Sequence, residues 1–178
     1  RSEVAVLKTG FGPREIAVSP DGRTAVVTNY GDAKPGHTLT IIDVVAATVR
    51  GTINLQRTSG SPTPTIELFL RPHGVQFVSD HRVIVTSEES QRLLLVNIKT
   101  DNIERTWDTP QTTMRMVAVT KDGKHAAASS VADGTLVFFD LTGIKSALPS
   151  LIKTGGGAEG LAVHPITGNA WVGNRSDN

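Results

Sequence analysis

Four residues with acid–base or ion-pairing chemistry recur at one register of this chain: Arg14, His73, Arg115 and Glu159. Each stands just ahead of a short apolar run: Ile16-Ala17-Val18, Val75-Gln76-Phe77-Val78, Val117-Ala118-Val119 or Leu161-Ala162-Val163. By subtraction, their separations are 59, 42 and 44 residues. Rotational repetition of these segments would gather the four side chains into one ring, and convergent polar groups in a concavity are the default site. His73 and Glu159 have the chemistry to ligate a metal or to move a proton. Arg14 and Arg115 do not: a guanidinium cannot ligate and repels a cation. The set therefore favours an anion, a carboxylate or a phosphate, over a metal. The alternative is that these side chains satisfy loop carbonyls or pair with one another.

A second possible ring follows at Asn29-Tyr30, Glu88-Glu89, Val131 to Asp133 and Arg175 to Asp177, in loops that vary in length and chemistry. Other motifs fail on context. Gly155-Gly156-Gly157-Ala158-Glu159-Gly160 matches GxGxxG, but a dinucleotide site needs a helix next, and Leu161-Ala162-Val163-His164-Pro165 reads as a strand. The five histidines (37, 73, 81, 125 and 164) are scattered, and no GxSxG, HExxH or Walker pattern is present. Asn174-Arg175-Ser176 is a glycosylation triplet of a kind that arises often by chance. Trp107 and Trp171 lie at strand positions and read as packing residues. No cofactor is expected from any of these patterns.

The elements that must position the ring repeat with it. A short apolar strand meets a turn such as Pro20-Asp21-Gly22, where Asp and Gly supply a side-chain hydrogen bond and a positive φ. A second strand follows (Thr24 to Asn29, Val83 to Ser87, Ala126 to Ser130, Ala170 to Asn174), then a third (Thr38 to Asp43, Leu93 to Asn97, Thr135 to Asp140). A fourth, more polar strand carries Arg50, Glu104, Arg105 or Lys153, as suits an edge protected by charge. Two of the three spacings match four-stranded propeller blades of roughly 40–45 residues. A β-sandwich also has short strands, but it has no reason to repeat loop chemistry at a fixed period. The sequence thus predicts an all-β chain, a β-propeller of four-stranded antiparallel blades. Its parts are an outer strand of a preceding blade at 3–8, blades at 12–55, 71–107 and 113–154, the first half of a blade at 158–178, and an insertion loop at 56–70. A weak helical signal covers 143–148.

Ser19-Pro20-Asp21-Gly22, Ala25-Val26-Val27-Thr28-Asn29-Tyr30-Gly31 and Leu39-Thr40-Ile41-Ile42-Asp43 together resemble the repeat of the YVTN-family β-propellers. The resemblance covers nearly the whole chain outside the insertion. That family spans surface-layer proteins, lactonase-like hydrolases and propeller domains of periplasmic oxidoreductases built like the cytochrome d1 domain. The resemblance implies a non-catalytic binding or scaffold propeller with its site at the channel rim, placed in the periplasm or outside the cell. A lactonase-like hydrolase and the propeller domain of a larger oxidoreductase are its alternatives. In relatives the positions of Arg14 and Arg115 often carry His, and a His-rich ring with one Glu suits a divalent transition metal. The two arginines depart from that pattern and put metal binding in doubt.

Composition narrows the partners. With 18 basic and 17 acidic residues the formal charge is +1, so no field of one sign points to nucleic acid. No apolar run reaches membrane-spanning length, and cysteine is absent. A small anionic ligand or a protein partner remains. About three and a half blades are legible, whereas propellers close with four to eight. The expectation is a fragment of a seven- or eight-bladed ring, with self-association of half-rings as the alternative. The absence of an initiator Met or signal peptide fits a processed or excised chain.

Overall fold

Turn chemistry sets the start of each repeat. Ser19 Oγ donates to Asp21 Oδ1 at 2.6 Å, the same oxygen accepts the Arg23 N–H at 3.0 Å, and Gly22 takes φ of 72°. Thr120, Asp122 and Gly123 repeat this device, at 2.6 Å, 3.0 Å and φ of 68°. In the last repeat His164 replaces the pair: its Nδ1 accepts the N–H groups of Ile166 and Thr167, both at 3.2 Å. Each device reverses the chain after an inner strand and returns it as the second.

A computed structural model describes residues 2–60, 62–143 and 150–177, and these are all-β, with no helix among them. The first blade is the antiparallel sheet β1 (Pro13–Val18), β2 (Thr24–Gly31), β3 (Pro35–Asp43) and β4 (Thr48–Asn54). A hairpin of β5 (Gln56–Ser59) and β6 (Thr65–Leu68) follows. The second blade is β7 (Pro72–Ser79), β8 (Arg82–Ser87), β9 (Arg92–Asn97) and β10 (Asn102–Asp108). The third is β11 (Met114–Val119), β12 (His125–Ser130), β13 (Thr135–Asp140) and β14 (Ser150–Lys153), and β15 (Ala158–Val163) pairs with β16 (Ala170–Asn174). The inner strands β1, β7, β11 and β15 lie side by side in that order. This is a partial β-propeller, and no closed ring is formed. Among the described residues no helix is long and apolar enough to cross a membrane.

Apolar faces sandwich between blades, as the sequence pattern predicts. Val26, Leu39, Ile41 and Ile53 of the first blade bury against Val75, Val83, Val85, Leu94 and Val96 of the second. Ile84, Leu93 and Trp107 of the second meet Met114, Val117, Val137 and Phe139 of the third. Each such side chain contributes about 1.5–3 kcal/mol when fully removed from water. The outer strands β4 and β14 are mostly exposed.

Two local expectations differ from the structure. Residues 3–8 carry no strand, because a fourth strand forms only against a third and none is placed beside them; Leu7 packs instead on Ala25, Val27 and Ile42. The 56–70 insertion is not a plain loop but the β5–β6 hairpin, anchored by fully buried Leu55 and Phe69 and by Arg57, which pairs with Glu67 at 2.7 Å and reaches Thr106. Trp107 packs edge-on to Phe139, as expected, and Trp171 on the last strand is 66% exposed. The helical signal falls mainly on 144–148, outside the described residues.

All four inner strands break register at the same place: between Pro13 and Ile16, Pro72 and Val75, Met114 and Val117, and Ala158 and Gly160. A bulge leaves backbone groups without ladder partners. A hydroxyl on the second strand takes them up. Thr28 Oγ1 accepts the Glu15 N–H at 3.1 Å and donates to the His73 carbonyl of the next blade at 2.7 Å. Thr86 Oγ1 accepts the Gly74 N–H at 2.7 Å and donates to the Arg115 carbonyl at 2.6 Å. Ser129 Oγ donates to the Glu159 carbonyl at 2.9 Å. The blades approach so closely here that a Cβ at Gly74 would overlap the Arg115 carbonyl oxygen.

Thr86→Val keeps the side-chain volume but strands the Gly74 N–H and the Arg115 carbonyl. It should lower stability by about 1–3 kcal/mol, seen as a lower urea midpoint at unchanged slope, while Thr86→Ser stays closer to the parent. Gly74→Ala should also destabilise, through backbone overlap. A midpoint unmoved by Thr86→Val would show that the hydroxyl clasp contributes nothing.

Candidate functional site

The bulges that create the clasp also aim the ring. Arg14, His73, Arg115 and Glu159 all sit within them, and the clasped carbonyls fix the last three. The structure brings the four into one electrostatic neighbourhood. Arg115 Nη1 donates to Glu159 Oε1 at 3.1 Å, and Arg175 Nη1 reaches Glu159 Oε2 at 3.1 Å. On the other side Arg115 Nε lies 3.4 Å from Glu88 Oε2, an ion pair without hydrogen-bond geometry, and both atoms are buried. The rim therefore runs Glu88, Arg115, Glu159, Arg175 in alternating charge.

Arg14 is held differently. Its guanidinium lies 4.7 Å from the centroid of the Tyr30 ring, and the guanidinium of Arg71 lies over the same ring, also at 4.7 Å. His73 meets Tyr30 edge-on, with centroids 5.7 Å apart. Arg71 Nη1 also donates to the Asp32 carbonyl at 3.0 Å, and its Nε lies 3.4 Å from Glu89. Arg14 is exposed, and no ion pair to a carboxylate is formed by it among the described residues.

Burial is the main influence on the titratable groups of this cluster. His73 is only 8% exposed and its Nδ1 has no hydrogen-bond partner. Burial, then the charges of Arg115 and Arg14, hold its pKa down to about 4, with Glu159 pulling the other way. Burial first and the Glu88 carboxylate second push the Tyr30 phenol up. Burial also pushes the Glu15 carboxyl up. His73 is thus a neutral imidazole near neutral pH.

The second-strand loops form one register of their own. The N–H groups of Tyr30, Glu88, Val131 and Arg175 donate to the carbonyls of Gly12, Arg71, Thr113 and Gly157, at 3.1, 3.0, 3.3 and 2.9 Å. Tyr30, Glu88 and Arg175 interleave with the first ring, so the two rings act as one rim. The carboxylates of Asp133 and Asp177 do not point to a ligand role. They accept the N–H groups of Thr112 and Gly156 and hold the links between blades. Asn29 likewise bonds Gly10, Thr38 and Thr40.

Arg71 is absent from the candidates that spacing singles out. Its signal lies one step upstream: at the register where Gly12 and Gly157 take φ of 58° and 71°, this blade has arginine at φ of 58°. A non-glycine residue held there costs about 1–3 kcal/mol and clusters at functional sites. Beside the same loop a cavity of about 420 Å³ opens, lined by Phe11, Asn29, Asp32, Lys34 and His37 among others. No group of three His, Asp or Glu is arranged to hold a metal among the described residues.

No protein-family model and no curated protein matches this chain. Solved structures do, 1056 chains in all, so the architecture is widespread and says little about chemistry. One of them is Kuenenia stuttgartiensis hydrazine synthase, with a TM-score of 0.72 and 18% sequence identity, covering 98% of this chain. The likeness supports the propeller fold. This chain spans 46% of the length of that one.

The buried His73 makes stability depend on pH. Between its folded value of about 4 and an ordinary value near 6.5, the unfolded chain binds the extra proton. Stability should therefore fall as pH drops from about 6.5 toward 4, and His73→Phe should flatten that part of the curve. Urea midpoints at pH 7 and pH 5 give the slope. An NMR titration placing the His73 imidazole near 6.5 would contradict the burial argument.

Proposed function

We propose that this chain is the binding part of a propeller domain, non-catalytic, with a small carboxylate or phosphate seated at the channel rim on Arg14. The observation that carries it is the state of Arg14: a guanidinium braced on the Tyr30 ring, exposed, and without an ion pair to a carboxylate among the described residues. Arg115, the other arginine of the ring, is engaged by Glu88 and Glu159. The anchor is Arg14, with Tyr30 and Arg71 beside it, rather than a clamp of Arg14 and Arg115. An arginine presents a planar fork that matches carboxylate and phosphate oxygens two at a time.

A binding role is favoured over lactonase-like hydrolysis because Glu159 is held by Arg115 and Arg175 rather than by His73. The repeat pattern supports membership of the YVTN kind and, with it, a periplasmic or extracellular setting. The exposed Trp171 face supports further blades or a second copy completing the ring. A second reading, a propeller domain within a longer redox protein, draws on the hydrazine synthase chain, of whose length this one spans 46%.

Titration with acetate and with inorganic phosphate, followed by calorimetry and by the NMR signals of Tyr30 and His73, tests the anion site. Both signals should shift on binding, and Arg14→Gln should weaken binding at least about ten-fold, the loss of one charge-assisted pair. Unchanged affinity in Arg14→Gln would move the site elsewhere.

A further inference from the structure

We propose that the rim selects an anion with two acidic groups, one on Arg14 and the other on Arg71, both beside Tyr30. This rests on the anion site of the preceding section and names its ligand class. Two guanidinium groups lie over one aromatic ring, each 4.7 Å from its centroid, so Tyr30 is the shared support of two cationic ends. The ends are unequal. Arg14 makes no hydrogen bond among the described residues and offers its whole fork. Arg71 already uses Nη1 on the Asp32 carbonyl and has Nε beside Glu89, which leaves Nη2 for a single oxygen. A monocarboxylate satisfies the first end only. A short dicarboxylate satisfies both.

The backbone of Arg71 carries strain that a glycine would avoid. Its φ of 58° belongs to the left-handed region, and Gly12 and Gly157 occupy the same register in the first and last repeats. The backbone bonds at this site, Arg71 N–H to the Gly36 carbonyl and Glu88 N–H to the Arg71 carbonyl, are equally open to glycine. What arginine adds is a guanidinium that lies over Tyr30, bonds the Asp32 carbonyl and sits beside Glu89. The buried His73 packs perpendicular to the same ring.

Calorimetric titration of acetate, malonate and succinate at constant ionic strength tests the selection. In the parent chain one of the dicarboxylates should bind at least ten-fold more tightly than acetate. In Arg71→Gly and Arg71→Ala that ratio should fall close to one. Arg71→Gly should melt above Arg71→Ala by about 2–4 °C, because glycine alone relieves the backbone. Equal binding of acetate and both dicarboxylates by the parent overturns the two-group ligand and leaves the anion site standing. A ratio retained in Arg71→Gly removes Arg71 from the site. A glycine variant that melts below the alanine variant overturns the strain argument. Failure of all three probes to bind sinks the anion site itself.

Discussion

One interaction organises this structure: a hydroxyl on the second strand of each complete blade reaches the bulged inner strand of the next. Thr28, Thr86 and Ser129 stand at the same register and donate to the carbonyls of His73, Arg115 and Glu159. A bulge in a buried inner strand is costly unless its freed amide and carbonyl find partners. In the first two blades the hydroxyl meets both needs, accepting from its own inner strand while donating to the neighbour's. The clasp ties blade to blade where the chain is most irregular, and so the irregularity is available for function. Without it the bulges that hold the rim residues would have unsatisfied polar groups in the core.

The same register also explains why the last repeat differs. Gly173 stands where the three hydroxyls stand, and a glycine cannot donate a side-chain bond. Beside it Trp171 lies open at the position where Val26 and Ile84 are covered. The surface beyond β16 is therefore not a copy of the interfaces before it: it exchanges a polar clasp for a large aromatic side chain.

The fold was legible because its causes are local and repeated. Asp21-Gly22 and Asp122-Gly123 announce their turns, and the apolar runs keep one spacing, so the blade pattern and the position of Arg14, His73, Arg115 and Glu159 could be read from the chain. What each residue does could not. Arg115 and Glu159 pair across a blade boundary, and Tyr30 meets Arg71 from the next blade, contacts set by the offset between sheets rather than by any spacing. Arg71 was hidden for a further reason: it occupies a register whose other members include two glycines, so alignment by residue type passes over it. The β5–β6 hairpin is hard to see in the sequence because Ser-Gly-Ser-Pro-Thr-Pro separates the residues that pair, such as Gln56 and Leu68.

The division of labour along the rim follows from where the acids fall. Glu88 and Glu159 flank Arg115, and Glu159 is shared with Arg175, so that half of the rim is internally neutralised. The half around Tyr30 has two guanidinium groups, with Glu89 placed on Arg71 and Glu88 acting on the Tyr30 phenol. Positive potential left over there acts on His73, whose proton affinity falls under the charges of Arg115 and Arg14 as well as under burial. A neutral imidazole is what such a site requires: a third cation would crowd the two arginines, and a carboxylate in its place would neutralise Arg14 from within. The ring of Tyr30, perpendicular to that of His73, attracts both cations and lets two like charges share one small region. That balance is complete on the Arg115 side and open on the Arg14 side, which is where the proposed anion would complete it.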